Sequence, residues 1–489
     1  MSATAFEVVV SLLACGGGAA ALLLRDPRWR YGALGLALVA ALALIAGEVW
    51  DQPRFEEVRS EPAAVLAAIV LGGVALWATA ATFVRAPAAF AIAAFAVISL
   101  RIPVQVGGET NFLLVPLYGV IAGGWLRAAW LLARGRDEEL ENAGSPRAGA
   151  PALARWLCIA LAASLVIYGI GVAWTSDPTN ATRNVAFFLA PFAALLALLR
   201  DLRWHRKLLG QCLIAVTAVG ALMAVIALWQ YFSRELIINE ELRAANQLHM
   251  YFRANALFRD PNILGRYLVL AIVALAAWIA WGRRSRGQML GGTAVAALLL
   301  AGLAVTFSQT SFMALATGLG ALVCLRLRWR GVAIAAGMGV AAAAVFLALG
   351  GMPESDLEKE RNDLAEVSSG RADLVAGGIE LFERRPLAGW GSGSFTTSFR
   401  REIERIKRPV SHNEPITVAA EQGVIGLIPY IAVVALAVAL LMWPWPRTAG
   451  KAAVAGCFAA LLVHSLGYAG FASDPATWAL LALALVLRE

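Results

Sequence analysis

The sequence predicts an all-α, polytopic helical membrane protein of about 12 to 15 transmembrane helices, and three observations carry that prediction. Of the 489 residues 60% are hydrophobic and only 15% are charged, with a mean hydropathy of +0.69, whereas soluble domains carry about one quarter charged residues. Apolar runs of about 17 to 25 residues, enough to cross a hydrocarbon core of roughly 30 Å, recur along the whole chain with short polar breaks between them. The breaks alternate in charge, as the positive-inside rule requires of a chain that crosses repeatedly.

In order, the spans fall at 6–24, 31–49, 63–83, 88–100, 112–133, 156–174, 185–199, 208–230, 263–281, 289–307, 312–325, 331–350, 416–443, 452–470 and 476–487. No basic stretch and no small-residue cleavage site accompanies the first, which therefore reads as a retained helix and not a signal peptide. One set of loops holds Arg25/Arg28/Arg30, Arg85, Arg134/Arg136/Arg147, Arg200/Arg203/Arg206/Lys207, Arg283/Arg284/Arg286, Arg326/Arg328/Arg330 and Arg447/Lys451, and is expected on the cytoplasmic side. The other set, at 51–62, 101–111, 175–184, 231–262, 308–311, 351–415 and 471–475, is expected outside. The chain thus reads as a single membrane domain, 1–489, with a long outer loop at 231–262 and a larger one at 351–415. Loops of that length are usually functional or disordered. Trp229, Tyr231, Phe232, Tyr251, Phe252 and Phe258 around the first loop, and the amphipathic stretch DLVAGGIELFERRPL at 373–387 in the second, argue for two partly helical, functional loops.

The five cysteines lie far apart in or beside apolar spans, without a CxxC pair, and read as small core residues. The net charge of +8 sits in the inter-helix turns, so topology explains it without nucleic acid as a partner. There is no dinucleotide fingerprint (GWGSGSF at 389–395 does not fit), no P-loop, no HExxH and no DxD pair, so neither a cofactor nor a metal is expected. A phosphorylated substrate would then be held by arginines.

Of the four histidines, His412 in RPVSHNEPITVAAEQGVIGLIPY (408–430) stands at the outer mouth of a helix, where a neutral imidazole can take a proton from a hydroxyl. Asn413 or Ser411 is suited to cap that helix, with Pro415 in its first turn. The plain alternative is that the segment is only a cap. His205 lies in a basic turn, His249 in an outer loop, and His464 within a span as a packed or hydrogen-bonded residue. Arg183, Arg253, Arg259, Arg266 and Arg371 gather on the outer side, which the positive-inside rule disfavours, and guanidinium forks suit phosphate. Each also has a bland account: snorkelling, or pairing with Asp260, Glu240, Glu241, Asp363 or Asp373.

Four segments then combine: ANALFRDPNILGRYL (254–268), VTFSQTSFMALATG (305–318), SSGRADLVAGGIELFERRPLAGWGSGSF (368–395) and SHNEPITVAAEQGVIGL (411–427). In this order they resemble the O-antigen ligase and polymerase superfamily, bacterial enzymes that use undecaprenyl-diphosphate-linked glycans. Residues 1 to about 170 match only as generic membrane helices. The resemblance implies a metal-independent glycosyltransferase of the GT-C type in the bacterial cytoplasmic (inner) membrane, with its active site on the periplasmic or extracellular side. It further implies His412 as general base, Arg371, Arg259, Arg266 and Arg183 as diphosphate ligands, and Asn262 and Asn413 of the PN and HN motifs as substrate-binding residues. The donor would be an undecaprenyl-diphosphate-linked glycan. The acceptor hydroxyl would belong to lipid A core or another surface molecule in a ligase, or to a second lipid-linked glycan in a polymerase. Where the family often has Ser-Arg, this chain reads Ser308-Gln309, so the missing charge is expected from Arg259, Arg266 or Arg253.

The competing readings are a transporter or flippase of a lipid-linked glycan, which predicts charges within spans and paired repeats, and a non-catalytic envelope scaffold, in which His412 is dispensable.

Overall fold

The computed structural model describes residues 3–487 apart from 51–55, 57–59, 107–108, 141–151, 238–241, 244–245, 247–251, 329, 331–373 and 404–412. Among the described residues, 12 helices are long and apolar enough to cross a membrane, and two shorter apolar helices accompany them. In chain order they are α1 (Ala5–Leu23), α2 (Pro27–Val49), α3 (Pro62–Arg85), the short α4 (Pro87–Val97), α5 (Val115–Ala133), α6 (Ala152–Gly171), α7 (Pro178–Arg200), α8 (Arg206–Ser233), α9 (Pro261–Ala280), α10 (Arg286–Ala304) and α11 (Gln309–Leu327). Two further short helices, α12 (374–384) and α13 (Phe395–Glu402), precede α14 (Glu414–Met442), α15 (Ala449–Gly467) and the short α16 (Pro475–Val486).

Each span read from the sequence overlaps one of these helices except 331–350, which lies outside the described residues. The helices start where local chemistry dictates. Asp177, Asp260, Asn413 and Asp474 each accept a backbone N–H of the following turn, and a proline stands in that first turn. This is why α7 begins at Pro178 and not at 185: its cap lies upstream of the apolar run, and a π-helical turn at Val185–Leu189 joins its polar and apolar parts. The all-α expectation has one local exception. The 101–111 loop and the start of the 112–133 span form an antiparallel hairpin, β1 (Ile102–Val106) with β2 (Glu109–Leu113), pairing Ile102 with Leu113.

One continuous core of Ala, Leu and Phe side chains joins the helices, and small residues bring their backbones close. Two groups of helices form. α1 packs on α2, α6 and α7, while α9 packs on α11, α15, α10 and α8; α14 bridges them through α6 and α15, and α16 lies against α7. Exposed apolar side chains such as Leu66, Ile69, Trp77 and Ile428 cover the sides of the bundle, the surface expected against hydrocarbon.

Side-chain and backbone contacts gather the connections into two sets. The basic set gathers at one end, where Arg30 pairs with Asp201 at 3.1 Å, the Tyr31 hydroxyl donates to the same carboxylate at 2.8 Å, and Arg28 pairs with Asp137. The other end holds the hairpin, the 175–184 and 468–474 connections, the PN turn, α12 and α13.

Candidate functional site

Two structures occupy that second end, and each is built by residues distant in sequence. The first is a clamp around a break in α14. Gly423 is non-helical, at φ 62 and ψ −160, which frees backbone groups that an unbroken helix would pair. The 386–395 segment takes them up. Val424 N–H donates to Pro386 O at 2.8 Å and Ile425 N–H to Leu387 O at 3.2 Å, while Trp390 and Gly391 N–H donate to the carbonyls of Ala420 and Glu421 at 3.0 and 2.8 Å. The buried Glu421 carboxylate accepts from Gly393 N–H at 2.8 Å and Phe395 N–H at 3.1 Å.

The far face of the same segment is tied to the turn after α6. Thr175 Oγ1 donates to Ser392 O at 2.7 Å, Asn180 Nδ2 to Gly393 O at 2.6 Å, Ser392 Oγ to Tyr168 O at 2.8 Å and Thr397 Oγ1 to Asp177 Oδ2 at 2.7 Å. Gly389, Gly391 and Gly393 all have positive φ, the backbone this two-sided threading needs. A small second core of Leu381, Phe395, Phe399 and Ala420 seats α12 and α13 on the first turns of α14. Within the amphipathic 373–387 stretch, residues 374–384 are thus helical, and the N–H groups of the following Gly389, Gly391 and Gly393 are all hydrogen-bonded.

A measurable consequence concerns Glu421. Glu421→Gln replaces one acceptor oxygen by a donor facing a backbone N–H, and an unsatisfied buried group costs about 1–3 kcal/mol. The melting temperature of the purified protein in detergent is expected to fall; an unchanged value would show that the two N–H bonds contribute nothing to the clamp.

The second structure is a narrow cleft, with free space of about 10 Å³, enough for roughly one water, lined by Ile98, Ser99, Arg101, Arg266, Tyr267 and Asp474, among others. The helices flanking it at Ile98 and Pro475 are the two short ones. At 1.5 Å per residue, the 11 residues of α4 and the 12 of α16 span roughly 16–18 Å, little more than half of a hydrocarbon core, so the cleft lies where two helices stop short of their full-length neighbours. Arg266, in the second turn of α9, pairs with Asp474 at 2.7 Å, both side chains being buried. Arg266 also stands 5.9 Å from the centre of the Tyr468 ring. Burial, with the Asp260 charge adding to it, pushes the Tyr468 phenol up to about 12, and the charges of Arg266, Arg101 and Arg259 oppose the rise. All three arginines therefore act on one ring.

The start of α14 reaches the same place. Asn413 caps the helix, its Oδ1 accepting Ile416 N–H at 3.2 Å, and its Nδ2 donates to Leu466 O at 3.3 Å. The neighbouring Glu414 carboxylate accepts from Gly470 N–H at 2.6 Å and Ala472 N–H at 3.3 Å. Asn262, beside the PN-turn proline, accepts from Ser308 Oγ at 2.7 Å and Arg253 Nη2 at 3.4 Å, and a hydroxyl chain continues through Ser311 to the buried His464. The expected role of His464 as a hydrogen-bonded core residue matches this position.

Among the residues expected to act, Arg266, Asn413 and the exposed Arg259 converge on the 466–474 connection, and Asn262 is joined to it through the His464 helix. Arg183 is held elsewhere, by Glu48 at the end of α2 at 2.5 Å. His412 and Arg371 lie outside the described residues. The acids that pair the arginines, Asp474 and Glu48, are not those expected from sequence. Arg101 shares the sequence signal of the others, an arginine in the acidic set of loops, but stands outside the motif segments. Glu421 and Glu414 were read only as motif letters. Among the described residues, no group of three or more His, Cys, Asp or Glu is placed to hold a metal ion.

No curated protein matches the sequence. A family model described as O-antigen ligase matches residues 294–431, which contain α11, the whole 386–395 segment, the Glu421 and Gly423 break, and the Asn413 cap. The match supports an enzyme of the O-antigen ligase and polymerase type, in keeping with a multi-pass membrane fold. Over these residues, and not over the rest of the chain, the protein is similar to the O-antigen ligase family.

Proposed function

We propose that the protein transfers a glycan from undecaprenyl diphosphate to a hydroxyl acceptor at the outer face of the bacterial cytoplasmic membrane, as a ligase or a polymerase. His412 takes the acceptor proton as the hydroxyl oxygen attacks the anomeric carbon. The bond from that carbon to the diphosphate oxygen breaks, and its electron pair leaves with the diphosphate, whose charge Arg266, Arg259 and Arg371 stabilise. Asn262 and Asn413 hold the PN and HN segments that present these groups. Arg183, already neutralised by Glu48, is left out of the phosphate site.

The observation that supports this reading best is the 466–474 segment: its Asp474 binds Arg266, its Leu466 binds Asn413, and its Gly470 and Ala472 bind Glu414, Asn413 and Glu414 being the residues that follow His412 in the chain. A base beside a guanidinium cluster is what the reaction needs, because the diphosphate already provides a good leaving group.

The direct test uses purified protein with a labelled glycan on undecaprenyl diphosphate, offered lipid A core or a second lipid-linked glycan, with and without EDTA. Transfer that persists in EDTA is expected, and the product tells ligase from polymerase. Absence of transfer to every acceptor would sink the proposal and favour the transporter reading.

A further inference from the structure

Among its described residues, the cleft contains two guanidinium groups, Arg101 and Arg266, and one acid, Asp474. Both carboxylate oxygens are committed: Oδ1 accepts Ala476 N–H at 2.8 Å at the start of α16, and Oδ2 takes Arg266 at 2.7 Å. Arg101 has a buried Nε without a hydrogen-bond partner. Burial draws its pKa down, Asp474 raises it and Arg266 lowers it again, the pattern of a cation that lacks a full share of counter-charge. A buried charge without a partner is costly, and such a site is stabilised by an anion that reaches both forks.

We infer that Arg101 is a second phosphate-binding guanidinium and that Asp474 is a resident counter-ion, displaced from Arg266 when a diphosphate group enters the cleft. The inference rests on the reading of Arg266 as a diphosphate ligand. A diphosphate carries one phosphate for each fork, and planar forks bind phosphate oxygens in pairs. Asp474 need not travel far, since its bond to Ala476 N–H keeps it at the α16 cap after Arg266 is released. Holding Arg266 on an internal acid keeps the empty site neutral enough to stay formed between lipid-facing helices. It also sets a threshold: an anion must outcompete a buried carboxylate, which a single phosphate touching one fork does less well than a diphosphate touching two.

The test is calorimetric titration of the full-length protein in detergent with inorganic pyrophosphate in EDTA, beside orthophosphate. Arg101→Gln is expected to weaken pyrophosphate about tenfold or more, and orthophosphate less. Asp474→Asn keeps the cap through its amide oxygen and removes the competing charge, so pyrophosphate is expected to bind about tenfold tighter. Affinities within about twofold of the parent in both variants would overturn the inference. If Asp474→Asn does not fold, Arg101→Gln alone decides, because no protein partner of its Nε is left unpaired. Phosphatidylglycerol in mixed micelles that displaces pyrophosphate as well as unlabelled pyrophosphate does would overturn the diphosphate assignment in favour of a lipid headgroup. Glycan transfer is read separately. Arg101-dependent pyrophosphate binding without transfer would sink only the proposed reaction, whereas transfer with a donor KM unmoved by Arg101→Gln would sink only this inference.

Discussion

His412→Ala is expected to lower glycan transfer by about 10²–10⁴-fold while leaving the amount of folded protein and its melting temperature unchanged. The magnitude is that of removing a general base when leaving-group stabilisation by arginines remains. Stability should hold because the cap of α14 belongs to Asn413, whose Oδ1 receives Ile416 N–H. Asn413→Ala makes the complementary comparison: loss of an N-cap costs about 1 kcal/mol, so that variant should melt earlier. The two substitutions, one residue apart, thus separate chemistry from folding. Transfer by His412→Ala within about tenfold of the parent would remove the base assignment and leave the segment as a cap.

Gly391→Ala is expected to have the largest structural effect. Its φ of 96 lies outside the region open to residues with a side chain, and a Cβ there would come 2.3 Å from Thr175 Cα and 2.6 Å from Thr175 N. Positive-φ strain costs about 1–3 kcal/mol, and overlap with backbone costs about 1–3 kcal/mol more, since Thr175 cannot swing aside as a side-chain tip would. The expected result is a protein that melts several degrees lower, is cleaved by protease between 386 and 403, and loses transfer with the clamp. Gly291→Ala on exposed α10, where a Cβ meets nothing within 4 Å, is the control and should be neutral or slightly stabilising. Equal melting of the two variants would mean that the clamp is not tight in solution.

What the sequence revealed and what it hid divide along a physical line. Spans were legible because a bilayer demands long apolar runs, and caps such as Asn413 with Pro415 were legible because capping is local. The break at Gly423 was not, because apolar residues continue on both sides from 416 to 442 and an isolated glycine in a helical pattern is tolerated. Nor was the pairing of Arg266 with Asp474 or Arg183 with Glu48, which join helices far apart in the chain. Arg266 and Arg101, which line the cleft together, both lie in or beside loops of the acidic set. Only Arg266 stands within a motif segment, since Arg101 lies before the motif-bearing half.

The broken helix also bears on biogenesis. Val424 and Ile425 can satisfy their N–H groups only with carbonyls from 386 and 387, and at membrane depth water is a scarce substitute. Those carbonyls are synthesised before α14. When α14 is made, its bonding partner already exists, and the helix at Gly423 can settle only by docking onto it. Settling of this span is thereby tied to the loop lying at the same end of the bundle, because a helix without that partner would carry unpaired N–H groups into the bilayer.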